Sequence, residues 1–147
     1  MTHTDGLPCP ERRPEFYDGI VAKRAIAWVI DVALITAMTF AVGILTLTVG
    51  FFLWPLFSLA IGVLYRVATL SGRSATWGMR LMGIELRDGR GERFDGLHAV
   101  LHVAGYYASI LFMVLPALAS AVAMLVTDRR QGLTDLVLGT AAINRPD

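Results

Sequence analysis

The stretch Lys23-Arg24-Ala25-Ile26-Ala27-Trp28-Val29-Ile30-Asp31-Val32-Ala33-Leu34-Ile35-Thr36-Ala37-Met38 reads as an apolar helix with two cations at its mouth and a carboxylate inside. Arg24 and Asp31 are seven residues apart. That is about 20° short of two helical turns, so both share one face, roughly 10.5 Å apart along the axis. The next charged residue after Asp31 is Arg66. If this helix lies in lipid, a carboxylate near its centre costs about 2.5–3.5 kcal/mol on insertion scales. The rest of the chain must supply partners that offset that cost.

The bulk composition agrees with a lipid environment. Of 147 residues, 55% are hydrophobic and 17% charged, whereas soluble domains carry about a quarter charged. The net charge of +1 excludes a bulk electrostatic grip on nucleic acid. The single cysteine, Cys9, forms no internal disulfide and lacks the apolar signal that lipid attachment would need. A cleavable leader is not expected either, because the first apolar run is too long and has no small-residue cleavage site.

Residues 1–22 are polar and proline-rich and read as a flexible cytoplasmic tail. Within them Phe16, Tyr17, Ile20 and Val21 are spaced for a short amphipathic turn on the membrane surface. The apolar run 25–65 is twice the length of one span, so it predicts two helices, about 25–46 and 51–70, reversing at Thr46 to Gly50. Trp54 and Pro55 fall in the first turn of the second helix, where proline is tolerated.

The polar middle, 71–97, reads as an interfacial or cytoplasmic loop, with a small β-hairpin over 84–94 turning at Asp88-Gly89. The third apolar run, 98–126, contains Pro116. As one straight helix it would be about 43 Å long, against a core of ~30 Å. The thirteen Lys and Arg fall in the tail, the middle region and the C-terminus, with none at the two reversals. The positive-inside rule then places both termini in the cytoplasm. An even number of crossings follows, and with it a short hairpin of 98–114 and 116–127. A three-span chain is the alternative. The apolar segment Leu133 to Ile143 is too short to span and should dock at the cytoplasmic interface. The fold class expected is thus an all-α, polytopic membrane bundle.

Three motifs line up in order: Arg24-Ala-Ile-Ala27-Trp-Val-Ile-Asp31, then Gly72-Arg-Ser-Ala-Thr76-Trp-Gly78-Met-Arg80-Leu-Met-Gly83, then Asp128-Arg-Arg130-Gln-Gly-Leu-Thr-Asp135-Leu-Val-Leu-Gly139-Thr140. Together they resemble the RDD family of bacterial membrane proteins, over about residues 20–144, with the family domain beginning at 23. The resemblance implies that Arg24 is the family's arginine and Asp31 its first aspartate. Asp135 looks like the second, with Asp128 a rival. Thr134 stands where the family usually has histidine, and Trp77 where it usually has an aliphatic residue or proline. The resemblance also implies a bacterial inner-membrane location. For function it implies transport, with some members suggested as cation/proton antiporters and others acting as partner subunits.

The charge network expected is Arg24, Asp31, Arg66, Asp128 and Asp135, with Arg66 brought by antiparallel packing to the depth of Asp31. Asp31 has two readings, a structural ion pair or a proton- or cation-carrying carboxylate. For Asp128 and Asp135, capping or docking outweighs catalysis. His98 and His102 share a helix face at a spacing that could hold a metal, but no third ligand is placed beside them. Gly78 and Gly83, with Ala117, Ala119, Ser120, Ala121 and Ala123, read as permitting close helix packing. No nucleophile has a placed base, so neither catalysis nor a cofactor is expected. The expected partners are the lipid bilayer and either further copies of this chain or another membrane protein.

Overall fold

The computed structural model describes residues 6–46, 49–112 and 114–146. A 3₁₀ turn at Pro14–Phe16 precedes helix α1 (Ile20–Leu45), a single turn α2 (Val49–Phe52) and helix α3 (Trp54–Arg73). Then come the short helix α4 (Trp77–Leu81), strand β1 (Ile84–Arg87), helices α5 (Gly96–Leu111) and α6 (Val114–Val126), the short helix α7 (Leu133–Leu138) and strand β2 (Ala141–Asn144). Both α1 and α3 are long and apolar enough to cross a membrane.

Helix α1 buries one narrow stripe at a spacing of four: Ala27, Asp31, Ile35, Thr39 and Gly43. Its other faces expose Ile26, Val29, Phe40 and Ile44. The buried positions of α3, Gly62, Arg66 and Leu70, repeat the same spacing. The two stripes face each other, and α5 packs against α3. Gly62 sits under the Tyr107 ring of α5, where a side chain would overlap the phenol oxygen. Trp54 and Pro55 occupy the first two positions of α3, where the proline lacks only an N–H that would have no helical partner.

The apolar core lies at the charged end of the bundle. It joins Ile20 and Ala27 of α1, Leu70 of α3, Ile84 and Leu86 of β1, Phe94, Ala99 and Val103, and Ala142 of β2. Strand β2 alternates. Ala142 faces this core, while Ala141 and Ile143 face a second cluster with Leu7 and Tyr17.

Six expectations are corrected. The chain is mostly helical but not all-α, because β1 and β2 form an antiparallel pair with Ile84 opposite Asn144 and Arg87 opposite Ala141. The expected hairpin over 84–94 is reduced to one bridge, Arg87 to Arg93; the Asp88 turn forms, with Oδ1 accepting from the N–H of Arg90 and Glu92, but β2 takes the edge of β1.

The tail is not free from Gly6 onward. Leu7 and Tyr17 are buried against β2, and Ile20 joins the protein core instead of resting on lipid. The third apolar run breaks between Leu111 and Val114, ahead of Pro116. The proline takes a first-turn position in α6, as Pro55 does in α3, and so starts a helix instead of ending one. Gly83 is a turn residue with φ of 68° and open space beside it, not a packing residue. Part of the expected reversal, 47–48, and the tail residues 1–5 lie outside the described residues; at the reversal itself, Thr46 Oγ1 accepts from the Gly50 N–H at 3.0 Å.

Ile84 is fully buried between the helices and β2. Ile84→Ala should therefore lower stability by about 2–5 kcal/mol, read as a fall in the thermal midpoint of the detergent-purified chain. An exposed change such as Val137→Ala should leave the midpoint within about 0.5 kcal/mol of wild type.

Candidate functional site

Each of the two buried aspartates is held by its own set of donors. Asp31, 1% exposed, faces the start of α4. Its Oδ2 accepts from the Thr76 hydroxyl at 2.6 Å, and its Oδ1 accepts from the Tyr65 hydroxyl at 2.7 Å and the Gly78 N–H at 2.9 Å. Thr76 is also the N-cap of α4, accepting from the Met79 N–H. One threonine thus starts the helix and ties it to α1. Gly78 is required here, because a Cβ would overlap the Ala27 carbonyl and crowd Asp31 Oδ1. The Arg66 guanidinium comes only to 3.9 Å from Asp31 Oδ2. Its charge is felt, but the hydrogen bonds come from neutral donors.

Asp135, on α7, is fully buried. Oδ2 accepts from Arg24 Nη1 at 2.6 Å and from the Gly132 N–H at 3.1 Å, and Oδ1 accepts from the Thr140 hydroxyl at 3.1 Å. His102 Nδ1 lies 3.5 Å from Oδ1. Burial is the largest influence on this carboxyl and pushes its pKa up. The Arg24 guanidinium, His102 and the hydrogen bonds from Gly132 and Arg24 together outweigh it and hold the carboxyl below its ordinary value.

Arg24 therefore pairs with Asp135, across 111 residues of chain, and not with Asp31 on its own helix face. Arg24, Asp31, Arg66 and Asp135 all line one cavity of about 440 Å³. Asp128 does not join them; it is exposed and lines a separate groove with Pro10, Pro14 and Glu15. The two candidate metal histidines diverge. His98 Nδ1 is 2.8 Å from Asp95 Oδ1 at the start of α5, while His102 faces Asp135. Among the described residues no group of three or more His, Cys, Asp or Glu is placed to hold a metal.

Several contributors were not singled out as site residues from the sequence. Thr76 and Gly78 lie in the middle motif, whose fixed spacing was visible without its purpose. Tyr65 and Tyr106 carried no signal beyond an aromatic at a helical position. Thr134 occupies the expected histidine position, and the imidazole beside Asp135 comes from α5 as His102. Glu85 is a further buried acid, 0% exposed. It is paired with Arg87 and lies 3.8 Å from both Arg93 and Arg145, so it fastens the sheet and not the cavity.

The cavity is bounded by α1, α5, α6 and α7 and is mostly apolar, with Val21, Trp28, Ala117, Ala121 and Leu125 in its walls. A second hollow of about 590 Å³ lies towards the other end of the bundle, between α1, α3 and α5, reaching Pro55 and Leu111. Arg66, Tyr106 and Ile110 belong to the walls of both. The Arg66 guanidinium stacks on the Tyr106 ring, 4.4 Å from its centroid. Trp28 Nε1 donates to the Tyr106 hydroxyl at 2.8 Å.

The two long, apolar helices fit a membrane protein. The chain belongs to the RDD family, whose model matches residues 19–139. No curated protein and no solved structure matches it.

Asp31→Ala would orphan three donors and leave Arg66 without its nearest carboxylate. It should cost about 3–5 kcal/mol, whereas Asp128→Ala should stay within about 0.5 kcal/mol. Thermal midpoints of the two variants check this; equal midpoints would show that Asp31 fixes nothing. The Asp135 pair has a defined pH window. Because its folded pKa lies below the ordinary value of 3.8, its stabilisation is complete above that value and is lost as pH falls through the folded pKa. The thermal midpoint of wild type should fall across this acid range more steeply than that of Arg24→Gln.

Proposed function

We propose that this chain is a multi-pass protein of the bacterial inner membrane that binds a small ion or solute in its charged cavity and moves it across the bilayer as part of an oligomer. The observation that carries this reading is the pair of hollows meeting at Arg66 and Tyr106. One lies towards the charged end and the other towards the apolar end, and Arg66, Tyr106 and Ile110 belong to the walls of both. Such an arrangement can expose a midway site to either side with a small side-chain movement.

The arginine distribution supports placing the charged end, and both termini, in the cytoplasm. Helices α5 and α6, with 16 and 13 residues, are about 24 and 20 Å long, short of the ~30 Å core. In this reading they enter the membrane as a pair and turn back, which keeps the C-terminus on the side of the N-terminus. Only 22% and 17% of the apolar windows of α1 and α3 are buried within the chain. So thin a bundle leaves the hollows half open, which supports completion by further copies. No reacting group is part of this reading, which is not enzymatic.

The same exposure favours a second reading, in which the chain is an accessory subunit that docks on another membrane protein. Purification in mild detergent followed by reconstitution separates the two. The first predicts a homo-oligomer, and vesicles carrying a trapped pH dye that respond to added sodium, potassium or organic-acid salt with wild type but not with Arg66→Gln, the residue where the two hollows meet. A stoichiometric foreign partner with no ion response would establish the second and overturn the first.

A further inference from the structure

Among the described residues that line the cavity, Arg66 Nε and His102 Nδ1 are buried without a hydrogen-bond partner, and Arg66 is the guanidinium of the two. A guanidinium carries five N–H donors, and this one is 8% exposed. Its Nε is buried with no partner. Its Nη1 is 3.9 Å from Asp31, beyond hydrogen-bond reach, and its Nη2 only reaches the Tyr106 hydroxyl at 3.5 Å. Stacking on Tyr106 offsets part of the burial, but a buried cation with free donors is costly unless an acceptor arrives.

Asp31 cannot be that acceptor. Its oxygens are pinned to α4 by Thr76 and Gly78 and to α3 by Tyr65. Asp135 is likewise occupied by Arg24, Gly132 and Thr140. Both carboxylates are thus turned towards their own donors, and of the two unpartnered groups Arg66 carries a fixed positive charge while the His102 ring nitrogen lies beside Asp135. Around Arg66 the walls are apolar. Ala25 and Trp28 of α1 and Ala117, Ala121 and Leu125 of α6 are exposed along the cleft between these helices. The cleft therefore admits a chain from the side. Its volume of about 440 Å³ lies within the range of small-molecule sites.

We propose that the cavity binds the carboxylate or phosphate head of an anionic amphiphile, with the head on the Arg66 guanidinium and the apolar chain along the cleft between α1 and α6. This rests on the solute-binding reading above and names the chemical class of that solute. A planar guanidinium meets such a head with two parallel N–H donors, and the apolar walls take the chain.

Trp28 reports on occupancy, because it lines the cavity and bonds Tyr106. The test uses the full chain in phosphatidylcholine nanodiscs, with Trp54→Phe and Trp77→Phe leaving Trp28 as the single tryptophan of the three. Dodecyl phosphate, dodecanol and inorganic phosphate are titrated against its emission. Dodecyl phosphate should give a saturable shift, weakened at least about tenfold by Arg66→Gln and less by Arg66→Lys, which keeps the charge and loses the fork. Inorganic phosphate that competes shows that a free anion suffices; inorganic phosphate that does not compete shows that the lipid-like chain is needed. Either result supports the anion site. Dodecanol binding as tightly as dodecyl phosphate would overturn it while leaving a solute-binding cavity, and this comparison needs no Arg66 variant. The absence of any saturable response to dodecyl phosphate would overturn the anion site, while the ion response of reconstituted vesicles decides the transport reading separately.

Discussion

The whole arrangement depends on one constraint: a carboxylate placed within an apolar helix must be surrounded by donors before that helix can rest in lipid. Asp31 obtains its donors from two later parts of the chain. Tyr65 comes from α3, and Thr76 and Gly78 from the turn that begins α4. Meeting that need fixes the depth of α3 against α1 and draws α4 tight against Ala27. The position of α4 in turn sets where β1 begins. A buried carboxylate bonded to fixed backbone and hydroxyl groups is directional in a way that hydrophobic contact is not. In a bundle whose helices otherwise expose apolar side chains, such bonds determine which faces meet.

The second aspartate solves a similar problem at the other end of the sequence. Asp135 binds the N–H of Gly132 and the hydroxyl of Thr140, which shapes the α7 turn, and its ion pair with Arg24 anchors that turn to α1. Arg24, Asp31 and Asp135 are thus not one mutual cluster. They are two clamps, one holding α4 and one holding α7, with Arg66 left between them. This division explains why the cavity wall contains four charged groups and yet presents mainly a guanidinium.

Much of this was legible in the residues. The apolar run 25–65 could only be two helices, and Asp31 had to have partners. Arg66 sat at the right depth because antiparallel helices of known length place it there. Arg24 was harder. Its spacing from Asp31 put both on one face, but a helix face says nothing about which distant segment arrives, and Asp135 lies 111 positions away. The β1–β2 pairing was hidden for the same reason, since local turn chemistry at Asp88-Gly89 favoured a hairpin and tertiary packing overrode it. Pro116 misled because proline both stops helices and starts them; only the position of the preceding break distinguishes the two. Tyr65 matters through its hydroxyl, and Tyr106 through its hydroxyl and the ring under Arg66, and no periodicity marks those.

The pairing of β1 with β2 also has a consequence for biosynthesis. The strand that pairs with Ile84 and Leu86 is made well after them, and Asn144 in it holds Lys23 and the carbonyls of Glu15 and Asp18 as well. Until β2 has left the ribosome, the sheet cannot close, and Leu7 and Tyr17 lack the Ala141 and Ile143 side chains they pack on. A polypeptide cut short after α6 would display an open strand edge and bare aliphatic side chains at its charged end. Such a product carries its own mark of incompleteness, of the kind that proteases and chaperones at the membrane surface recognise.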